Sequence, residues 1–269
     1  MLFSLSSSSP WAPRAWLSDL LGAGRLLTRL PLGGAAADQK KPIGAAETSH
    51  AARCYPLIGL GIGALAATAF AVAEWLALPP FAAALAALSV SLLVTGALHE
   101  DGLADVADGF GGGPDRSRKL AIMRDSHIGT YGVVALILVT AARGGSLAAI
   151  AEPGLAASAL IAAHALSRAG LAPLMWILPP ARSDGLAAAT GRPSMTDAIT
   201  ALLIGVAAML LLLDLAVAFV AILACGTLQC GMALQARRQI GGVTGDVLGA
   251  AQQLGEAAVL LVICSGVGA

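Results

Sequence analysis

Residues 99–113 read HEDGLADVADGFGGG, placing Glu100, Asp101, Asp105 and Asp108 within nine positions of a chain otherwise rich in Ala, Leu and Gly. On a helix advancing about 100° per residue, Asp101, Asp105 and Asp108 point to about 0°, 40° and 340°, one narrow face, with Glu100 about 100° from Asp101. Carboxylates aligned in this way repel unless a cation neutralises them. Hard divalent cations prefer oxygen donors, and Mg²⁺ characteristically combines a few carboxylates with substrate phosphates. The spacing therefore points to a Mg²⁺ site for a phosphate-bearing substrate. A solvated acidic helix end is the plainer alternative, but acids beside a bilayer are costly. His99, alone at the helix end, reads as structural more readily than as catalytic.

Three further polar clusters accompany the first: RDSHIGTYG (124–132), ARSDGL (181–186) and RRQIGGVTGD (237–246). Gly111, Gly112 and Gly113 either hinge the chain or turn backbone N–H groups toward a phosphate. Arg116, Arg118 and Lys119 read as ordinary loop charges of a membrane protein. Arg124, beside Asp125, is the better candidate to hold phosphate, because a guanidinium matches two phosphate oxygens. Thr244 sits among Gly241, Gly242 and Gly245 in a second Gly-rich segment with the same phosphate-binding alternative. Asp246 either caps the following helix or adds a carboxylate to the metal site. Arg168 and Glu256 stand inside apolar runs, with His164 four residues before Arg168 on the same helix face. Intramembrane charge needs a function or a partner, and a buried Arg168–Glu256 pair would satisfy both residues.

The elements that must position these groups are transmembrane helices. The 269 residues are 57% hydrophobic and only 12% charged, against about 25% charged in soluble domains. With roughly 20 apolar residues per crossing, spans fall at about 55–77, 81–98, 130–150, 155–178, 197–213, 215–235 and 246–265. Pro79 and Pro80 separate the first two, and a turn near Asp214 divides the long run 198–235. Residues 14–32 carry leucines at helical spacing with Arg25 and Arg29 between them, an amphipathic helix lying at the interface. Residues 1–13 read as disordered, without the pattern of a signal peptide, and 33–53 as a surface loop. The fold expected is an all-α polytopic membrane bundle of about seven transmembrane helices plus this interfacial helix, in a single catalytic domain over 1–269. Fourteen of the 16 Lys and Arg residues then fall on the side of the N-terminus, which the positive-inside rule makes cytoplasmic. Arg143 is read as a charge of the opposite face. All four polar clusters share the cytoplasmic side, which predicts one site at one membrane face. Zero net charge suggests no nucleic-acid partner. The four cysteines show no metal or disulfide spacing and read as small buried apolar residues.

The segments LTRLPL (27–32), YPLIGLGIG (55–63), HEDGLADVADGFGGG, IMRDSHIGTYG (122–132), LSRAG (166–170) and GGVTGDVLGA (241–250) together resemble the cobalamin synthase family, in the family's order and spacing. The family has Arg where this chain has His127. The resemblance runs from about residue 20 to the end. It implies a Mg²⁺-dependent transferase of the bacterial inner membrane, in which adenosylcobinamide-GDP is joined to α-ribazole or its 5′-phosphate and GMP is released. Under it, Asp101, Asp105 and Asp108, with Asp246 as a candidate, hold Mg²⁺ against the diphosphate. Arg124 and Arg168 serve the transferred phosphoryl group, and Glu100 or Asp125 accepts the hydroxyl proton. The substrates and the lipid bilayer are the expected partners, and a homo-oligomer is compatible with the sequence. Two rivals remain: a CDP-alcohol phosphotransferase, whose DG…AR…G…D…D order is absent here, and a small transporter, which would place polar residues at mid-membrane in several spans.

Overall fold

The structure is a computed structural model that describes residues 12–32, 49–150 and 152–266. The expected disordered segment 1–13 and loop 33–53 lie outside these residues over 1–11 and 33–48. The described residues form helices joined by short turns: α1 Pro13–Leu27, α2 Tyr55–Trp75, α3 Pro80–Thr95, α4 Leu98–Gly112, α5 Arg116–Ile122, α6 Thr130–Ala149, α7 Pro153–Ala169, α8 Leu171–Ile177, α9 Leu186–Thr190, α10 Met195–Leu212, α11 Leu215–Ile240 and α12 Gly245–Gly266. Among them there is no strand, only an isolated parallel bridge between Pro180 and Val243.

Among the described residues, six helical stretches are long and apolar enough to cross a membrane: those containing α2, α6, α7 with α8, α10, α11 and α12. Helix α3, of 16 residues, is shorter and meets α4 at an 89° bend. It nevertheless returns the chain across the bundle. Tyr55, at the start of α2, and Leu98, just after α3, line the same chamber, so α2 leaves that face and α3 comes back to it. The seven-crossing expectation fits, with α4 lying past the end of the third span. The bend is made by two successive left-handed residues, Gly96 (φ 65°) and Ala97 (φ 58°). An L-residue such as Ala97 in that region costs roughly 1–2 kcal/mol, and hydrogen bonds from Ala97 N to Leu92 O (3.0 Å) and from Arg29 N to Val94 O (2.7 Å) hold the corner.

The core is built from small residues. In the first helix of YPLIGLGIG, Gly59 and Gly63 stand one turn apart where α2 crosses α7, and a Cβ at either would collide with the α7 backbone at His164 or Ile161. This is the close approach that small-xxx-small spacing permits in membranes. Phe70, Leu147, Leu160, Met209 and Leu260 fill the core between the alanines, while other large apolar side chains face outward, among them Leu203, Leu211, Leu215 and Phe219, as lipid-facing residues should. The expected span 155–178 breaks at Gly170, where a Cβ would strike the Gln229 side chain. The turn near Asp214 is present between α10 and α11.

Three expectations need correction. Helix α1 ends at Leu27 and does more than float at the interface: Asp19, Ala23, Gly24 and Leu27 are buried, while Leu17 points outward. Arg53 is not a loop charge. It is buried, 2.6 Å from Asp19 and 4.3 Å from the centre of the Trp16 ring, and so clamps α1 to the bundle. Of the cysteines, Cys54 and Cys225 are buried, but Cys230 is exposed on α11.

Candidate active site

Helix α4 runs across the mouth of the bundle and is pressed against α12. A Cβ on Gly102 would stand 2.8 Å from Asp246 O, and one on Gly249 would stand 3.1 Å from His99 O. This backbone-to-backbone approach brings Asp101 and Asp105 beside Asp246. The starts of α6 and α12, the end of α11 and the turn after α8 gather at the same face. Arg116 ties the last two together, donating from Nε to Ile240 O (2.8 Å) and from Nη2 to Ala181 O. It is therefore a structural strut rather than a plain loop charge. Ala181 N donates to Val243 O and Val243 N to Pro179 O (2.9 and 2.8 Å), fixing the turn that carries Arg182.

A cavity of about 340 Å³ opens over this platform, lined by Asp101, Asp105, Arg124, Asp125 and His127 among others. Burial, then the carboxylates of Asp101, Asp246 and Asp108, push the Asp105 acid up to about 7, with Arg182 acting against them. Hydrogen bonds from the side chain and backbone of His127 (2.7 and 3.0 Å) hold the Asp125 acid below its usual range. Arg124 pairs with Asp184 in a half-exposed contact. A second, smaller chamber of about 200 Å³ lies on the other side of Asp101 and includes Arg182 and Asp246 in its wall. Asp101 lines both.

The acidic stripe is divided by the tertiary structure. Asp108 shares the helical face, but its carboxylate turns to the N-terminus of α6, accepting from Gly129 N (2.6 Å) and Gly132 N (2.9 Å). Gly129 is the N-cap residue of α6 and has no side chain to cap with, so Asp108 caps that helix from another element. Among the described residues, no three His, Cys, Asp or Glu side chains come together closely enough to hold a metal ion as they stand. Mg²⁺ does not require such a cage, since it binds through one or two carboxylates plus substrate phosphates. The crowded, cavity-facing oxygens of Asp101 and Asp105 match that donor chemistry, while those of Asp108 are already engaged.

The other expected residues divide in the same way. Gly111 and Gly112 lie in the last turn of α4, where carbonyl groups rather than N–H groups are free, and Gly113 N donates to Gly109 O (3.1 Å). Gly111 and Gly113 make room for the Tyr131 ring and for Lys119, so this glycine run is a packing device. Thr244 caps α12, its hydroxyl accepting from Val247 N (3.2 Å) and donating to Asp246 (3.1 Å). Asp246 is thus not the cap. It receives Thr244 and Arg182 Nη2 (3.3 Å) at the edge of the site.

Glu100 points inward, away from both cavities, into a charge network in the bundle core. Arg143 Nη1 donates to Glu100 (3.1 Å) and to Gln253 (2.7 Å), and Arg143 Nη2 stands 2.5 Å from Glu256. The other Glu256 oxygen meets Gln252 (2.5 Å), His164 (3.0 Å) and Arg168 (3.7 Å). The expected Arg168–Glu256 pair is present, and Arg168 does not reach the cavity. Arg143, read from sequence as a charge on the far face, is 3% exposed and belongs to this network. Two arginines and two glutamates balance it. Sequence reading missed Arg143, Gln252, Gln253 and Arg182; the adjacent glutamines inside an apolar run were the available signal for the network.

Residues 19–264 match the cobalamin-5-phosphate synthase family. The chain is 46% identical over 246 residues to a Bradyrhizobium diazoefficiens protein named adenosylcobinamide-GDP ribazoletransferase, covering 91% of this chain and 93% of that one. A protein of the same name from Mesorhizobium japonicum is 46% identical over 251 residues, covering 93% and 94%. One from Azorhizobium caulinodans is 44% identical over 253 residues, covering 91% and 94%. No solved structure matches. With a family match that runs from α1 almost to the end of α12, over the acidic helix and both cavities, this chain belongs to the cobalamin-5-phosphate synthase family.

Proposed function

We propose that this protein joins adenosylcobinamide-GDP to α-ribazole, or to its 5′-phosphate, with release of GMP. The observation that carries the reading is the convergence of Asp101, Asp105, Arg124 and Asp125 on one cavity at one face of a membrane bundle, in a chain whose relatives bear that name. The excess of Lys and Arg on that face supports a site facing the cytoplasm from a bacterial inner membrane. The deep polar residues favour no transport path, because they bond to one another in a charge-balanced core.

Asp101 and Asp105 would hold Mg²⁺ with the donor's diphosphate, and Asp246 would stand beside them. When bound, the cation offsets negative charge on the phosphoryl group in transfer. Arg124, exchanging Asp184 for substrate, places a guanidinium on phosphate oxygens. The acceptor hydroxyl oxygen forms a bond to the phosphorus attached to cobinamide, the bond from that phosphorus to the GMP oxygen breaks, and GMP departs. The hydroxyl proton needs a carboxylate. Glu100 is committed to Arg143 and Gln253. Asp105 has the proton affinity nearest neutrality, but with the cation bound the remaining cavity carboxylate is Asp125, a weak base whose Oδ1 accepts from His127 and whose Oδ2 takes the proton. The test is GMP release by the purified protein in liposomes. Release that needs both substrates and Mg²⁺ supports the reading; GMP release without an acceptor, or none with both substrates, overturns it.

A further inference from the structure

Two of the four acids on α4 face the cavity, and the two that do not are fastened to other helices. Asp108 ties the far end of α4 to the start of α6. Glu100 ties the near end, one residue from Asp101. Its Oε1 accepts from Arg143 Nη1 on α6 (3.1 Å) and from Gln253 Nε2 on α12 (3.0 Å). Arg143 Nη1 also donates to Gln253 Oε1 (2.7 Å), which closes a triangle of hydrogen bonds between three helices. All three side chains are buried, so water does not compete for these bonds. The backbone contact beside them does not set the rotation of α4 by itself. Gly102 and Gly249 let α4 approach α12, but glycines have no Cβ with which to interlock. Side-chain tips stand about 5–6 Å from a helix axis, so a rotation of about 10° sweeps the Asp101 and Asp105 carboxylates through about 1 Å. A misplacement of that size costs as much as about 100-fold in rate.

We propose that Glu100, Arg143 and Gln253 are positioning residues: they fix the rotation of α4 and so aim Asp101 and Asp105 at the cation and the diphosphate. The proposal rests on the Mg²⁺-dependent reading above. None of the three lines the carboxylate cavity, so each acts through α4. Drawing Glu100 to Arg143 also keeps another negative charge out of a cavity where Asp101 already crowds Asp105. Glu100 Oε2 has no hydrogen-bond partner among the described residues. The clamp therefore works through the reach of Oε1, to which both donors are directed.

Length and charge at position 100 separate this role from the others a buried glutamate could have. Glu100→Gln keeps the reach and one oxygen acceptor, and puts its NH₂ where Oε2 makes no bond. Glu100→Asp keeps the charge and stops one methylene short. Full-length proteins in nanodiscs with saturating GDP are titrated with Mn²⁺, which shares the oxygen-donor preference of Mg²⁺, and free Mn²⁺ is read by electron paramagnetic resonance below the thermal midpoint of each protein. Glu100→Asp should raise the Mn²⁺ Kd about tenfold, or about 1.4 kcal/mol, and slow GMP release by a similar factor. Glu100→Gln, the conservative variant in length, should recover both to within about threefold of wild type, although the lost charge lowers its thermal midpoint. Gln253→Met removes a donor and an acceptor from the clamp without changing any charge. It should behave like Glu100→Asp, and it decides alone if the position-100 variants fail to accumulate. A wild-type Mn²⁺ Kd in Glu100→Asp and Gln253→Met, whatever their thermal midpoints, would make the network merely structural and overturn the proposal. So would an active Glu100→Asp beside a Glu100→Gln that binds Mn²⁺ normally and releases no GMP, since that pattern belongs to a proton acceptor. If Mn²⁺ binding follows side-chain length but even the wild type releases no GMP, the clamp stands and the transferase reading falls.

Discussion

Replacing Asp108 by Asn separates the two roles that the acidic helix confuses in one dimension. Asp108 Oδ2 and Oδ1 accept from Gly129 N and Gly132 N at 2.6 and 2.9 Å. Asn keeps one oxygen acceptor and turns the other position into an NH₂ donor facing a backbone N–H. One buried charge-assisted hydrogen bond is lost, worth about 1.5–3 kcal/mol, and the negative charge at the start of α6 goes with it, worth about 0.3–1 kcal/mol. The expected loss is about 2–4 kcal/mol of stability, read as a lower thermal midpoint in detergent. The Mg²⁺ concentration giving half-maximal GMP release should stay near wild type. Asp105→Asn should do the reverse: a rate loss of at least about 100-fold, or about 2.7 kcal/mol, with a raised Mg²⁺ requirement and, without Mg²⁺ above neutral pH, a thermal midpoint at or above that of wild type. Asp115→Asn is the control. Asp115 caps α5 through Arg118 N (2.9 Å), and Asn caps as well as Asp. If Asp108→Asn melted like wild type and needed more Mg²⁺, Asp108 would be a metal ligand, and the assignment made from its hydrogen bonds would be wrong.

Gly132→Ala should reproduce Asp108→Asn, because the new Cβ would be driven into the Asp108 carboxylate; a normal thermal midpoint would count against the capping role. Arg168→Leu leaves Glu256 short of one partner in a buried network, which typically costs 3–5 kcal/mol, so the variant should fail to accumulate in the membrane. Pairing it with Glu256→Gln should restore part of the yield, and normal yield from Arg168→Leu alone would mean that the network is not structural. Asp105 titrates near 7 in the folded protein against 3.8 for the free side chain. The stabilisation from its bound proton is therefore full below about 4 and lost as pH rises through about 7. Without Mg²⁺ the thermal midpoint should fall over that window, and Mg²⁺ binding should release a proton there; a flat profile with no proton release would refute the crowding of Asp105. Reporter fusions after Pro114 and at the C-terminus should report opposite sides of the membrane, and same-side signals would remove one crossing.

Much of the fold was legible because membrane helices declare themselves locally. A run of about 20 apolar residues can cross in only one way, since lipid offers no partner to an open backbone, and so the spans, the turn at Asp214 and the gathering of polar clusters at one face follow from the sequence. The Arg168–Glu256 pair was also within reach, because a lone intramembrane charge requires a partner. Side-chain direction past the helix was not. Asp101, Asp105 and Asp108 share one face by periodicity, yet Asp108 turns to α6 because Gly129 and Gly132 leave N–H groups uncapped there. Glu100 lies one residue from Asp101 and serves the core, because the 89° corner at Gly96 and Ala97 lays α4 across the bundle with one face over Arg143 and the other over the cavity. Spacing along one helix fixes which residues share a stripe; only the neighbouring helices decide which of them meets a ligand, a backbone amide or a buried arginine, because each carboxylate goes to the nearest group that compensates its charge.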